Sequence, residues 1–336
     1  HYLGLGLRTP VNDDYQYRLV GGYGFGNQSY RYVVSGYHFI GGSFAAPEAR
    51  YFKETVAQYQ DYEYNRTPLD FFNARQTIQA LATGTSGNNF FERQGVEAGF
   101  RFRFDTDSFL RILYRDENYH LLQATTKTCL ITSCPRPQEF ANNDPMYPAE
   151  QGKSKGMYMQ LHHDTRQYLR TQFLRDYNIR KFGWLADIVL EKGIGKWGSD
   201  FDYNRYRVGL KFYWPVFTSH FFQTDIILGA ADTGIPNQRL FTYNGYVVDD
   251  YVRYRPFNTV DYRQPLGSRI SEIRVRYKFG SSLTRSIPID FIRKSGIQIS
   301  TLFTVGVIDN ERSLEPLLPY SNAQTQAEFG IAASKI

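Results

Sequence analysis

The residues with chemical promise are scattered along the chain, and their spacing decides what each can do. His162-His163-Asp164 offers two imidazoles and a carboxylate in a row, the raw material of a metal site or an acid–base pair. On a strand, however, neighbouring side chains point to opposite faces, so the two imidazoles cannot share one ligand sphere. Polar residues at a strand end account for the triplet. Gly84-Thr-Ser-Gly87 fails the G-x-S-x-G spacing of a nucleophile elbow. Gly193-Ile-Gly195 lacks the rest of a dinucleotide fingerprint. Asp249-Asp250 is a weak calcium candidate and reads better as a solvated loop pair. These residues hold no catalytic constellation, and the expectation is a non-enzyme with neither a metal nor another cofactor.

Two further groups stand out. Cys129 and Cys134 lie close together in a polar stretch. They can close a small loop disulfide, which needs an oxidising compartment; two free thiols are the alternative. The second group is Arg253 and Arg255 in YVRYRPFNTV, preceded by Asp249-Asp250 and followed by Asp261. These arginines sit in a connection of about 36 residues (233–268), a length usually functional or disordered. Disordered segments are poor in aromatics, yet this one holds Phe241, Tyr243, Tyr246, Tyr251, Tyr254, Phe257 and Tyr262. A loop of that composition packs on something.

The elements that must position these residues are strands. Ile273, Val275, Tyr277 and Phe279 alternate with Glu272, Arg274, Arg276 and Lys278, which sends the two sets to opposite faces. In 96–104, Arg101 and Arg103 oppose Phe100, Phe102 and Phe104, and 206–214 repeats the pattern with Arg207 and Lys211. Arg205 precedes that run in the same phase. The polar face is repeatedly charged and the other strongly aromatic, as a lumen and a lipid-facing wall require. Thirteen candidates follow: 2–9, 15–26, 29–42, 50–64, 91–105, 107–122, 156–166, 177–194, 201–215, 219–232, 269–279, 296–309 and 325–334. Many exceed the soluble strand length of about 5–6 residues and match the roughly 9–11 of a tilted membrane strand. Tyr15, Tyr17, Trp184, Tyr213, Trp214 and Phe217 lie toward strand ends, where aromatic girdles sit, and ordinary cross-strand packing accounts for any one of them equally well. Residues 67–82 can form a short helix in an outer loop.

Composition agrees. The 336 residues include 27 Tyr, 26 Phe and 28 Gly, and the mean hydropathy is −0.48. No apolar run approaches the roughly 20 residues of a spanning helix. The net charge of +6 is spread along the chain rather than clustered, so a nucleic-acid partner is not expected. Connections sort by parity. Those at 10–14, 42–49, 105–106 and 217–218 are short, whereas 65–90, 123–155, 233–268 and 310–324 are long; Asn27-Gln28, short on the long side, and 280–295, long on the short side, depart from the sorting. Outer-membrane barrels have short periplasmic turns and long outer loops.

From 182 to 309, the run FGWLADIVLEKGIG…SDFDYNRYRVGLKFYWPVF…HFFQTDIILGAADTGIPNQRLFTYNG resembles the barrel of the BamA/TamA-type outer-membrane superfamily on its approach to the sixth outer loop. In that family the loop folds back into the lumen, and its Val-Arg-Gly-aromatic motif meets a Phe-x-Asp-x-Gly motif on a later strand. Val252-Arg253-Tyr254 stands at the loop position without the Gly, and Leu302-Phe303-Thr304-Val305-Gly306 offers Gly306 but Thr304 in place of Asp. The resemblance implies that Arg253 or Arg255 braces the lumen against another carboxylate, with Asp187, Glu191, Glu272 and Asp309 as candidates; solvated loop charges are the alternative reading of both arginines. It also implies an all-β antiparallel transmembrane barrel of about sixteen strands, incomplete at both ends here, as a single domain over 1–336 with periplasmic domains upstream.

The function implied is insertion or translocation of outer-membrane or secreted polypeptides in a Gram-negative outer membrane. The implied partners are outer-membrane lipid, client polypeptides and accessory proteins. Two other readings stay open. One is a porin-like channel or structural subunit, with Arg101, Arg103, Arg205, Arg207, Lys211, Arg274 and Arg276 making a basic lumen beside Glu272. The other is a soluble β-rich binding module.

Overall fold

The structure, a computed structural model, describes residues 2–9, 14–24, 29–57, 90–105, 107–121, 149–166, 168–170, 175–177, 181–217, 220–243, 247–249, 252–254, 266–279, 282–286, 288–290, 297–309 and 324–335. Cys129, Cys134, Arg255 and the helix expected at 67–82 lie outside these residues.

Thirteen strands form one antiparallel sheet. In chain order the strands are β1 (Tyr2–Arg8), β2 (Tyr15–Gly24), β3 (Ser29–His38), β4 (Ala45–Ala57), β5 (Phe90–Asp105), β6 (Ser108–Leu121) and β7 (Gly152–Asp164). A small hairpin, β8 (Tyr168–Arg170) and β9 (Arg175–Tyr177), stands apart from the sheet. The sheet continues with β10 (Gly183–Gly193), β11 (Tyr203–Phe217) and β12 (His220–Ala231). A second separate ribbon, β13 (Val247–Asp249) with β14 (Val252–Tyr254), lies within the long connection. Strands β15 (Arg269–Lys278), β16 (Ile297–Asp309) and β17 (Gln324–Lys335) complete the sheet.

Every sheet strand pairs with its sequence neighbours in the sheet, and β1 and β17 form its two unjoined edges. Among the described residues the wall is therefore an up-and-down meander, not closed on itself. It contains as many strands as the alternation predicts, with shifted ends. β4 starts at Ala45 rather than at 50, after a 3-10 turn over Ile40–Gly42, and β10 starts at Gly183 because the chain before it makes the β8–β9 hairpin.

The period of two sets the two faces. Leu19, Val34, Phe100, Tyr206, Leu228, Ile273 and Phe303 are exposed on one face, and Phe52, Arg93, Arg115, Glu191, Arg205 and Arg274 are buried on the other. The inverted arrangement, apolar outside and charged inside, is the chemistry of a wall that faces hydrocarbon. At the short-turn end, outward rings gather: Tyr15 and Tyr17 against His38, Phe44 against Phe102 and Phe104, His163 against Trp184, and Phe182 against Trp214. Tyr213 differs from its assignment to a girdle. It is buried on the inward face under the Arg166 guanidinium, because it shares phase with Arg207 and Lys211.

Candidate functional site

The inward face carries two lateral chains of charge. In the first, Glu48 on β4 accepts from Arg101 Nε on β5 at 2.9 Å and from Arg111 Nη2 on β6 at 2.6 Å. Arg111 Nη1 donates to Gln160 on β7 at 3.0 Å, and Gln160 Nε2 donates to Asp187 on β10 at 2.8 Å. His162 also reaches Asp187, at 3.1 Å, while His163 on the other face meets Ser108 Oγ at 2.8 Å. The two imidazoles thus have separate surroundings, as strand alternation dictates.

The second chain runs nearer the long-loop end. Glu54 meets Arg93 at 2.6 Å, and Arg93 meets Glu117 at 3.1 Å. Arg50 joins Glu54 at 2.8 Å and Glu97 at 3.6 Å, and Arg115 joins Glu97 at 3.3 Å. Glu191 takes Arg115 and Arg205, each at 3.7 Å, and the Tyr203 hydroxyl. Aromatic rings fill the space between charges. Arg93 lies over Phe52 at 4.6 Å and Arg115 over Tyr158 at 3.7 Å, contacts that favour a desolvated guanidinium.

A loop segment closes this second chain. After β12 the chain turns at Asp232–Gly234 and passes into a 3-10 turn over Asn237–Arg239. Ile235, Asn237, Gln238, Arg239, Leu240, Phe241 and Tyr243 are all buried. Arg239, only 3% exposed, donates from Nη2 to Glu117 Oε2 at 2.9 Å and from Nε to the Tyr119 hydroxyl at 3.1 Å. Its Nε also stands 3.4 Å from Glu191 Oε1. One loop arginine therefore ties β6 to β10 across β7.

The packing around it explains the depth. Ile235 and Leu240 join Val56, Phe91, Tyr119, Phe201, Tyr203 and Leu266 in one apolar cluster, and Phe241 and Tyr243 join Ile270 and Ile308 in another. Gln238 binds the backbone of Glu150 twice, accepting its N–H at 2.9 Å and donating to its carbonyl at 3.0 Å. Phe241 and Gly267 exchange backbone hydrogen bonds at 2.9 and 3.0 Å, which pins the two ends of the long connection together. Glycine is required there: a Cβ on Gly267 would lie 2.3 Å from Ile308 Cγ2.

The residues singled out from sequence fall as follows. Arg101 and Arg103 share the inward phase of β5, and Arg103 pairs with Asp14 at 2.8 Å near the short-turn end. Arg205, Arg207 and Lys211 are buried along β11, and Glu272, Arg274 and Arg276 along β15. Arg274 is held by Glu272 at 2.6 Å and Asp225 at 3.5 Å. Thr304, fully buried, is in register with Arg274 and Glu328, and Gly306 with Glu272 and Gln326. Arg253 occupies β14 opposite Val248. Sequence reasoning missed Arg239; Glu191, named there as a possible partner of Arg253, stands 3.4 Å from Arg239.

No family model matches the chain, and no curated protein sequence matches it. Solved structures do. The crystal structure of BamA from Haemophilus ducreyi lacking POTRA domains 1-3 superposes with a TM-score of 0.54 at 12% identity, over 99% of this chain and 63% of that one. CdiB from Escherichia coli gives 0.49 at 10% identity over 99% and 53%, and CdiB from Acinetobacter baumannii 0.47 at 10% over 98% and 50%. The chain spans less than two thirds of the length of each. With an inward charged face, an outward apolar face and the likeness to the BamA structure over nearly its whole length, the chain has the fold of a BamA-type β-barrel wall.

Proposed function

We propose that this chain is the barrel domain of a Gram-negative outer-membrane protein that inserts or translocates other polypeptides, without catalysis. The observation that carries the reading is the seat of Arg239. A loop from the long-loop end is built into the lumen by buried ion pairs, and the lumenal arginines are held by carboxylates and rings. Such an interior is braced rather than left as an open basic conduit, which favours an assembly or secretion barrel over a porin. Client strands would add by backbone pairing at the seam between a barrel's first and last strands. Membrane lipid, the client and accessory proteins are the partners in this reading. Arg253 and Arg255 remain candidates for a second brace from the same connection toward Thr304 and Gly306.

The test is reconstitution of the full barrel-bearing protein in lipid vesicles. An unfolded outer-membrane β-barrel diluted from urea should fold faster in their presence, and planar-bilayer recordings should show small, unsteady currents. A large, steady, anion-selective conductance with no effect on client folding overturns the reading in favour of a passive channel. Solubility of the protein without detergent overturns both.

A further inference from the structure

The turn between β10 and β11 does not stand up from the wall; it bends sideways along β7, with Phe201 in the inward cluster and Trp197 on the outward face. Ile194 N–H donates to the Lys155 carbonyl at 2.8 Å, and Asp200 N–H donates to the Lys153 carbonyl at 2.8 Å, so the turn is laid along β7. Asp200 Oδ2 in return accepts the Lys153 N–H at 2.7 Å. The 3-10 turn Gly195–Trp197 then carries its indole past β7 to Tyr114 on β6, with ring centroids 5.8 Å apart. Trp197 remains 46% exposed there.

Beside that indole the outward face is basic. Lys153 and Lys155 share a single carboxylate, Asp116, at 3.7 and 3.1 Å. Lys192 is opposite Met157, diagonal to Lys155 on the next strand, and is exposed, as is Lys196 in the turn. Neither Lys192 nor Lys196 has an ion pair among the described residues. Asp200 and Asp202 stand on the turn with Lys196, so four ammonium groups face three carboxylates over the whole patch, and on the strands beneath the turn three face one. Below this group, toward the short-turn end, the same strands turn apolar on the outward face: Tyr114, Ile112 and Leu110 on β6; Met157, Met159 and Leu161 on β7; Leu190 and Ile188 on β10.

An amphipathic indole with lysines directly above an apolar belt is the arrangement that suits a headgroup layer. Lysines there gain from negative lipid charge. We propose that Lys153, Lys155 and Lys192, capped by Lys196 and Trp197, seat the phosphorylated headgroup of a lipid in the outer leaflet. The ammonium groups bind the phosphate oxygens, Trp197 covers the first methylenes, and the lipid chains lie along Met157 and Leu190. The seat rests on the outer-membrane barrel reading, which places the long-loop end in the outer leaflet.

The experiment uses the full barrel-bearing protein in phosphatidylcholine vesicles with and without lipid A, a doubly phosphorylated glycolipid, followed by native mass spectrometry of the extracted protein. The wild type and K53Q, whose lysine pairs with Glu92 at 3.3 Å elsewhere on the outward face, should retain lipid A. The triple variant K153Q/K155Q/K192Q should bind it more weakly, by about fivefold per lysine and on the order of a hundredfold together. Equal retention by the triple variant overturns the seat, as does displacement of the lipid by excess inorganic phosphate. Resistance to carbonate extraction from the phosphatidylcholine vesicles separates the two levels. A wild type that fails to integrate overturns the barrel reading, whereas integration with unselective retention overturns only the seat.

Discussion

Arg239 and Glu117 are 122 positions apart in sequence, and the guanidinium of one donates to the carboxylate of the other at 2.9 Å in the buried interior. The pair joins a loop to the long-loop half of a strand four places away in the sheet order from the one that the loop leaves. Replacing Arg239 by Met keeps the apolar stem and removes the charge. It leaves Glu117 with Arg93 and Tyr119, and Glu191 with Arg115, Arg205 and Tyr203. Breaking a buried pair from one side costs about 3–5 kcal/mol; the remaining partners put R239M near the lower end. Its midpoint in urea unfolding of the reconstituted barrel should fall accordingly. The double variant E117Q/R239M should lose less than the sum of the two single variants, since both remove the same pair.

The strands and their charged faces were legible because period-two alternation is a local signal, carried by adjacent residues such as Glu272 to Lys278. Tyr213 was legible too, by its phase with Arg207 and Lys211, but position near a strand end was the wrong guide. Arg239 was not legible. The depth of a loop residue is fixed by what packs around it, here Phe91, Tyr119 and Phe201 from three distant segments, and no periodicity records that. The motif-like Val252-Arg253-Tyr254 drew attention instead, and the short apolar stretch Leu240-Phe241 beside Arg239 was the weaker cue that a buried loop existed.

Glu48 should tolerate change less well than its single charge implies. It accepts from Arg101 and Arg111 together, and both guanidiniums are largely buried, Arg101 between Tyr37 at 4.2 Å and Phe109 at 4.3 Å. E48A strands two arginines and should cost about 3–5 kcal/mol. Asp14, whose carboxylate is 56% exposed, also holds one arginine, Arg103. Because an exposed pair is worth about 0–1 kcal/mol, D14N should shift the urea midpoint little. Comparing the two variants under one protocol checks that burial, not pairing as such, sets the cost.

Gly229 on β12 makes room for Phe241. A Cβ there would stand 2.7 Å from the Phe241 ring and 2.9 Å from Ile270 Cγ2. G229V should push Phe241 off the wall at about 1–3 kcal/mol, the usual cost of overpacking. The backbone bridge between Phe241 and Gly267 follows the ring, so protease added from outside the vesicles should cut the 240–267 connection faster in G229V. F241A should leave the wall intact and also speed cleavage. An unchanged cleavage rate in both would mean that Phe241 does not hold the connection down.

The outward face makes the most direct test of hydrocarbon contact. Phe100 lies near the centre of the outward face of the sheet on β5, 54% exposed, and Phe104 lies at the short-turn end of the same strand, 56% exposed. The two therefore present similar area and differ in depth alone. In a bilayer, Arg on the lipid face costs about 2–4 kcal/mol at the midplane and about 0–1 near the interface, whereas in water either substitution would cost little. Folding into vesicles should therefore be impaired strongly by F100R and weakly by F104R, read as the fraction of protein that resists heat unfolding on a gel. Equal tolerance of both would place this face in water. A large cost at Phe104 with none at Phe100 would put the membrane at the wrong end of the wall.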